Sequence, residues 1–151
     1  MSWRARLAEL GIDLPPVAAP AGSYVPAVRA GALVFTAGQI PLVDGAVAAT
    51  GKVGAEVSPE EAQRLARVCA LNALAAVDAL VGIDSVVRVV KVVGFVASAG
   101  GFTGQPAVLN GASDLLAEVF GEVGRHARSA VGVAELPLGV PVEVELVVEV
   151  G

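Results

Sequence analysis

Hydrophobic positions along the chain switch between a helical and a strand period, and the switches mark the elements. Near the start, Trp3, Leu7 and Leu10 recur at helical spacing ahead of Gly11, so residues 2–10 predict a short helix. Residues 12–22 (IDLPPVAAPAG) carry prolines that suit neither a helix interior nor a central strand, and they read as a rigid connector. Residues 24–29 and 32–38 predict two strands joined by a tight turn over Ala30-Gly31. Asp44-Gly45 marks a loop, after which residues 46–49 can pair briefly with a neighbour. Ser58-Pro59-Glu60-Glu61 is the clearest helix start: Ser58 as N-cap, Pro59 at the first helical position, Glu61 closing a capping box. That helix is expected to run to residue 80. Its inner stripe is Ala62, Leu65, Ala66, Cys69, Asn72, Ala73, Ala76 and Leu80, and Gly82 stops it.

Residues 86–96 are nearly continuous valine, which predicts a long strand covered on both faces, with Arg88 at an exposed point. After a Gly100-Gly101 loop, residues 105–121 predict a second long helix carrying Leu109, Leu115, Leu116, Val119 and Phe120, closed by Gly121. Two final strands, 128–134 and 141–150, flank a Leu136-Pro137 turn. After the leading helix the order is ββ–α–β–α–ββ. The fold class is therefore α+β, a mixed sheet with two helices packed on one face.

Composition narrows this picture. With 151 residues the chain suits one domain with its own core. Hydrophobic residues reach 55% while aromatics are only 4%, so the interior is expected to be small and β-branched, with apolar surface left over for contacts between copies. The net charge of −5 without any basic cluster argues against nucleic acid. The apolar runs are broken by Arg88, Lys91 and Gly94 and are too short to span a bilayer. A single cysteine fits a reducing, cytoplasmic compartment, and with one histidine it makes a structural metal site improbable. No basic run precedes an apolar segment at the start, so no signal peptide is expected.

The candidate chemistry lies in residues 127–145, ARSAVGVAELPLGVPVEVE. Period two sets Glu143 and Glu145 on one face of the last strand and Val142, Val144, Leu146 and Val148 on the other. Arg128 and Glu143, on two strands of one fold, can converge on a small charged substrate. The guanidinium would grip a carboxylate through two hydrogen bonds, and the glutamate would handle a water or a proton. Cys69 reads as a small core residue. His126 is expected near the entrance of the cleft in a structural role. Glycine pairs at 51–54 and 100–104 lack the strand–loop–helix setting of a nucleotide site.

Three segments, YVPAVRAGALVFTAGQIP, VRVVKVVGFVAS and ARSAVGVAELPLGVPVEVE, resemble the reactive-intermediate deaminase family (RidA, also called YjgF) in the same order. NGASDLL in the second long helix and the N-terminal helix resemble a longer branch of it. The resemblance implies a chorismate-mutase-like domain over residues 20–151, preceded by the helix and connector of residues 1–19. It also implies a homotrimer with pockets between subunits. There, enamines and imines derived from amino acids would be hydrolysed to a keto acid and ammonia without a cofactor, as by a 2-iminobutanoate/2-iminopropanoate deaminase. In that resemblance Arg128 matches the carboxylate-binding arginine and Glu143 the glutamate that directs water. Tyr24 matches a pocket tyrosine, and Gly38 a glycine whose backbone approaches the ligand. Ala130 stands where some members have cysteine, and Ala37 where many have serine. A gapless count sets Ser113 at the family's pocket asparagine, with Asn110 one turn earlier. Because Ala37 and Ala130 thin the donors around the pocket, the alternative is a trimer that binds small carboxylates or 2-oxo acids without turnover.

Overall fold

The computed structural model describes residues 2–20 and 22–151; Met1 and Ala21, which the expected leader and connector include, lie outside the described residues. Helix α1 (Trp3–Glu9) is capped by Ser2, whose hydroxyl accepts the Ala5 N–H. Strands β1 (Ala27–Ala30) and β2 (Leu33–Thr36) form a hairpin. A second, minor hairpin pairs β3 (Leu42–Val43) with β4 (Ala46–Val47), so residues 46 and 47 do find a neighbour. Helix α2 (Pro59–Val81), strand β5 (Val86–Ala97), helix α3 (Gln105–Phe120), strand β6 (Ala127–Val133) and strand β7 (Val142–Val150) complete the chain. The main sheet runs β1-β2-β7-β5-β6, with β5 and β6 parallel and the other neighbours antiparallel. The fold is the expected α+β one, with the mixed sheet carrying α2 and α3 on one face.

The core lies between that face and the two helices. Val142, Val144, Leu146, Val148 and Val150 of β7 are buried in strict alternation; along β5 Val86, Val89, Val92 and Val96 are buried, with irregularities in the register against β7 breaking the alternation in its first half. From α2 come Ala62, Leu65, Ala66, Cys69 and Ala73, and from α3 Leu109, Leu115, Leu116 and Val119. Glycines bring the layers close. A Cβ on Gly94 would overlap the Leu109 side chain, and one on Gly111 would overlap the backbone carbonyl of Gln63, so α3 lies hard against both β5 and α2. Helix α1 joins the same core through Leu7. Trp3 donates to the Val86 carbonyl at 2.8 Å and meets Phe120 edge-on at 5.1 Å.

Several details differ from the sequence reading, each for a local reason. The first hairpin turns at Gly31-Ala32 rather than Ala30-Gly31, because Gly31 takes the left-handed conformation (φ 62°). Strand β2 ends at Thr36 because the ladder is interrupted there. Phe35 faces Val147 and Gln39 faces Val144, so four steps on one side match three on the other. This is a β-bulge, and the Thr36 hydroxyl accepts the Leu146 N–H at 3.0 Å across it. Ser58 does cap α2, accepting the Glu61 N–H at 3.1 Å, but Glu61 does not close the box. Its carboxylate is drawn instead to Arg64, one turn on, at 2.7 and 3.0 Å. Leu80 is 46% exposed, outside the buried stripe. Strand β5 is covered on one face only. Val28, Phe35 and Val131 stand 52%, 44% and 44% exposed on the opposite side of the sheet.

Candidate active site

Strand register decides where the candidate residues point. Across the sheet, Arg128 pairs with Val92 and Val92 with Leu146, both buried against the helices. Paired residues share a face, so Arg128 and Ala130, two positions on, look toward α3. Glu143 pairs with Phe95, which pairs with Val131, and this row lies on the uncovered face. Arg128 and Glu143 of one chain therefore sit on opposite sides of the sheet. The convergence on a small charged substrate expected of two strands in one fold does not occur within one chain, because their rows in the three-strand array differ by an odd number of residues.

On the helix side, α3 holds the guanidinium. Asn110 and Ser113, spaced i and i+3, lie on one helix face. One terminal nitrogen of Arg128 (Nη1) donates to Asn110 Oδ1 at 2.8 Å and to Ser113 Oγ at 3.1 Å, and the other (Nη2) donates to the Pro106 carbonyl at 3.3 Å. Ser113 is in turn 2.8 Å from His126 Nε2, whose Nδ1 lies 2.7 Å from the Gly124 carbonyl. Both helix positions weighed from the sequence, Ser113 and Asn110, thus contact Arg128. His126 is also part of this network, a role that sequence alone did not suggest. Its signal was the two-residue spacing His126–Arg128, which in extended backbone running into β6 turns both side chains the same way. Ala130 lies beside Gly94 at the edge of the core and offers no side-chain donor.

On the uncovered face, Glu143 stands over the bulge. A Cβ on Gly38 would overlap its carboxylate, so glycine there is what lets the side chain lie flat against the backbone. Gln39 exchanges both backbone hydrogen bonds with Val144 at 2.8 and 3.0 Å, which pins Gly38 beside Glu143. Burial, and secondarily the Glu145 carboxylate two residues on, raise the Glu143 carboxyl above its ordinary value. The Ala37 amide donates to the Pro26 carbonyl at 2.8 Å, tying this bulge to the segment that carries Tyr24. Tyr24 is 50% exposed ahead of β1. The candidate residues thus form two half-sites, one centred on Arg128 and one on Glu143 and Gly38. Among the described residues no group of three or more His, Cys, Asp and Glu side chains is placed to hold a metal ion. No helix among them is long and apolar enough to cross a membrane.

Comparison with known proteins agrees with the fold. Residues 4–150 match the family model described as "YjgF/chorismate mutase-like, putative endoribonuclease". Protein TCP17 of Trypanosoma cruzi is 50% identical over 147 residues, 96% of this chain and 92% of that protein. The crystal structure of Atu1372 from Agrobacterium tumefaciens superposes with a TM-score of 0.90 at 45% identity, covering 99% of this chain and 94% of that one. TdcF from E. coli, solved with bound serine, superposes with a TM-score of 0.66 at 25% identity over 89% of this chain and 94% of its own. Matching that family model over residues 4–150 and a relative at 50% identity over 96% of its length, the chain belongs to the YjgF/chorismate mutase-like family.

Proposed function

We propose that the protein hydrolyses small enamines and imines derived from amino acids, without a cofactor, in clefts completed by a second subunit. The observation that carries this reading is the donor count at Arg128. A guanidinium has five N–H groups, and α3 occupies three of them. Two remain, the number a carboxylate takes in bidentate fashion. The bound serine in TdcF, a relative, is a 2-amino acid with such a carboxylate.

The chemistry asked of the other half-site is modest. A protonated imine carbon next to a carboxylate is already electrophilic. Glu143 accepts a proton from water as the oxygen bonds to that carbon, giving a carbinolamine. Glu143 returns that proton to nitrogen; the hydroxyl then gives its own proton to the freed carboxylate as the C=O bond forms and the C–N bond breaks, and the proton leaves with ammonia as ammonium, leaving a 2-oxo acid. No oxidation state changes, so one carboxylate that exchanges a proton suffices. A carboxyl raised toward neutrality is a better base for this than an ordinary one. Since Arg128 and Glu143 face opposite sides of one sheet, a homotrimer in which neighbours share each cleft brings them to one substrate.

The test generates 2-aminoacrylate in solution and follows 2-oxo acid and ammonia formation above the spontaneous rate. Arg128→Ala is expected to lower kcat/KM by roughly 100-fold, the scale of a lost charge-assisted bidentate contact. A variant as active as the parent would overturn the reading. The second reading, a carboxylate-binding trimer without turnover, draws on the methyl groups of Ala37 and Ala130 where donors would stand. It predicts calorimetric binding of 2-oxo acids together with no acceleration of imine hydrolysis.

A further inference from the structure

With a neutral His126 ring, the hydrogen bonds around Arg128 have only one consistent polarity. The Gly124 carbonyl can only accept, so His126 Nδ1, 2.7 Å away, carries the ring proton. In the neutral imidazole Nε2 is then an acceptor. Its partner at 2.8 Å is the Ser113 hydroxyl, which therefore points its hydrogen at the ring. That leaves the lone pairs of Ser113 Oγ turned toward Arg128 Nη1, which donates into them at 3.1 Å. Without an acceptor on its far side, a serine hydroxyl is a rotor. Part of the time it would turn its hydrogen against the guanidinium it is meant to hold.

We propose that His126 is a positioning residue for Arg128, acting through Ser113: it fixes the hydroxyl so that the guanidinium is aimed with its two remaining N–H groups at the ligand carboxylate. Arg128 on β6, His126 just ahead of that strand and the two helix residues are brought together by the close approach of α3 to β5 that Gly94 permits. Asn110 is exposed and binds the guanidinium directly, so it does not depend on the histidine. This inference rests on Arg128 being the carboxylate site.

The experiment measures KM and kcat for imine hydrolysis, and the calorimetric Kd of 2-oxobutanoate, in a set of single and double variants whose assembly and thermal midpoint are checked first. His126→Leu and Ser113→Ala are each expected to raise KM and Kd about tenfold, with kcat changed less than about threefold, as loss of one hydrogen bond to a charged group would do. His126→Gln, which offers an oxygen acceptor where Nε2 stood, is expected to restore binding to within about threefold of the parent. The double variant Ser113→Ala/His126→Leu is expected to bind no worse than Ser113→Ala alone, because the ring acts only through the hydroxyl. Full additivity in the double variant, failure of His126→Gln to recover what His126→Leu loses, or an unchanged Kd in His126→Leu would overturn the proposal. Should the leucine variant not assemble, His126→Asn, which keeps a donor for Gly124 and removes the acceptor for Ser113, takes its place with the same expectations. An Arg128→Ala variant that binds 2-oxobutanoate normally would instead defeat the carboxylate reading itself.

Discussion

Burial and the Glu145 carboxylate raise Glu143 above its ordinary value, so the folded chain resists ionising the group that the proposed chemistry would use. The consequence for stability has a definite sign. Below the unfolded carboxylate pKa, about 4.3 for glutamate, the group is protonated in both states and costs nothing. As pH rises, the unfolded chain releases the proton first, and the folded state falls behind. Glu143→Gln is therefore expected to unfold at a higher temperature than the parent at pH 7 and at the same temperature below pH 4, while losing hydrolysis. Equal midpoints at both pH values would remove this account. Cys69 behaves differently. Full burial, and to a lesser extent Glu143, raise its thiol well above the ordinary value. It is expected to resist alkylation at pH 8 in the native protein and to react at once in denaturant. At this scale the sequence was informative about identity. Arg128 and Glu143 stand out from strand period and resemblance. The part played by His126 did not, because it depends on a serine thirteen residues upstream arriving within 2.8 Å of its ring.

Elements were legible where the signal was local. The Ser58 cap, the Pro59 start, the Gly82 and Gly121 stops and the alternation along β7 all appear where the spacing puts them. What failed was competition between neighbours: Arg64 takes the Glu61 carboxylate away from the capping box, and the bulge shortens β2. Asn72 sits on the apolar stripe of α2 for a reason the stripe does not disclose. Its amide donates to the Ile40 and Leu42 carbonyls, each at 3.2 Å, and ties the stretch after Gly38 to the helix. Asn72→Ala is expected to lower the unfolding free energy by ~1–3 kcal/mol, because it leaves two carbonyls short of a donor near the core. Denaturant titration checks this, and a loss under 0.5 kcal/mol would show that water replaces the amide freely. Gly111→Ala sets a methyl group against the Gln63 carbonyl on α2. Overpacking of this kind costs ~1–3 kcal/mol. It should also shift α3, and with it Asn110 and Ser113, relative to Arg128, so KM is expected to rise alongside the lowered midpoint.

At the scale of the whole molecule, the sheet has one face sealed by helices and another bearing Val28, Phe35 and Val131 beside Glu143, Glu145 and Glu149. The proposed trimer covers that face and joins the Arg128 half-site of one copy to the Glu143 half-site of the next. Mixing two inactive variants tests this directly. Arg128→Ala and Glu143→Gln subunits, unfolded together and reassembled in equal amounts, are expected to recover about a quarter of parental activity, since one cleft in four then draws both intact residues from different copies. No recovery from mixed, assembled trimers would mean that each cleft takes both residues from one chain. Sequence by itself determined the main elements, their order, the apolar faces of α3 and β7 and the family resemblance, because hydrophobic period and local caps are properties of neighbouring residues. The tertiary structure alone decided that Arg128 and Glu143 look to opposite sides. That outcome depends on the register of β6 and β7 against β5, and a shift of one residue in either would have reversed it.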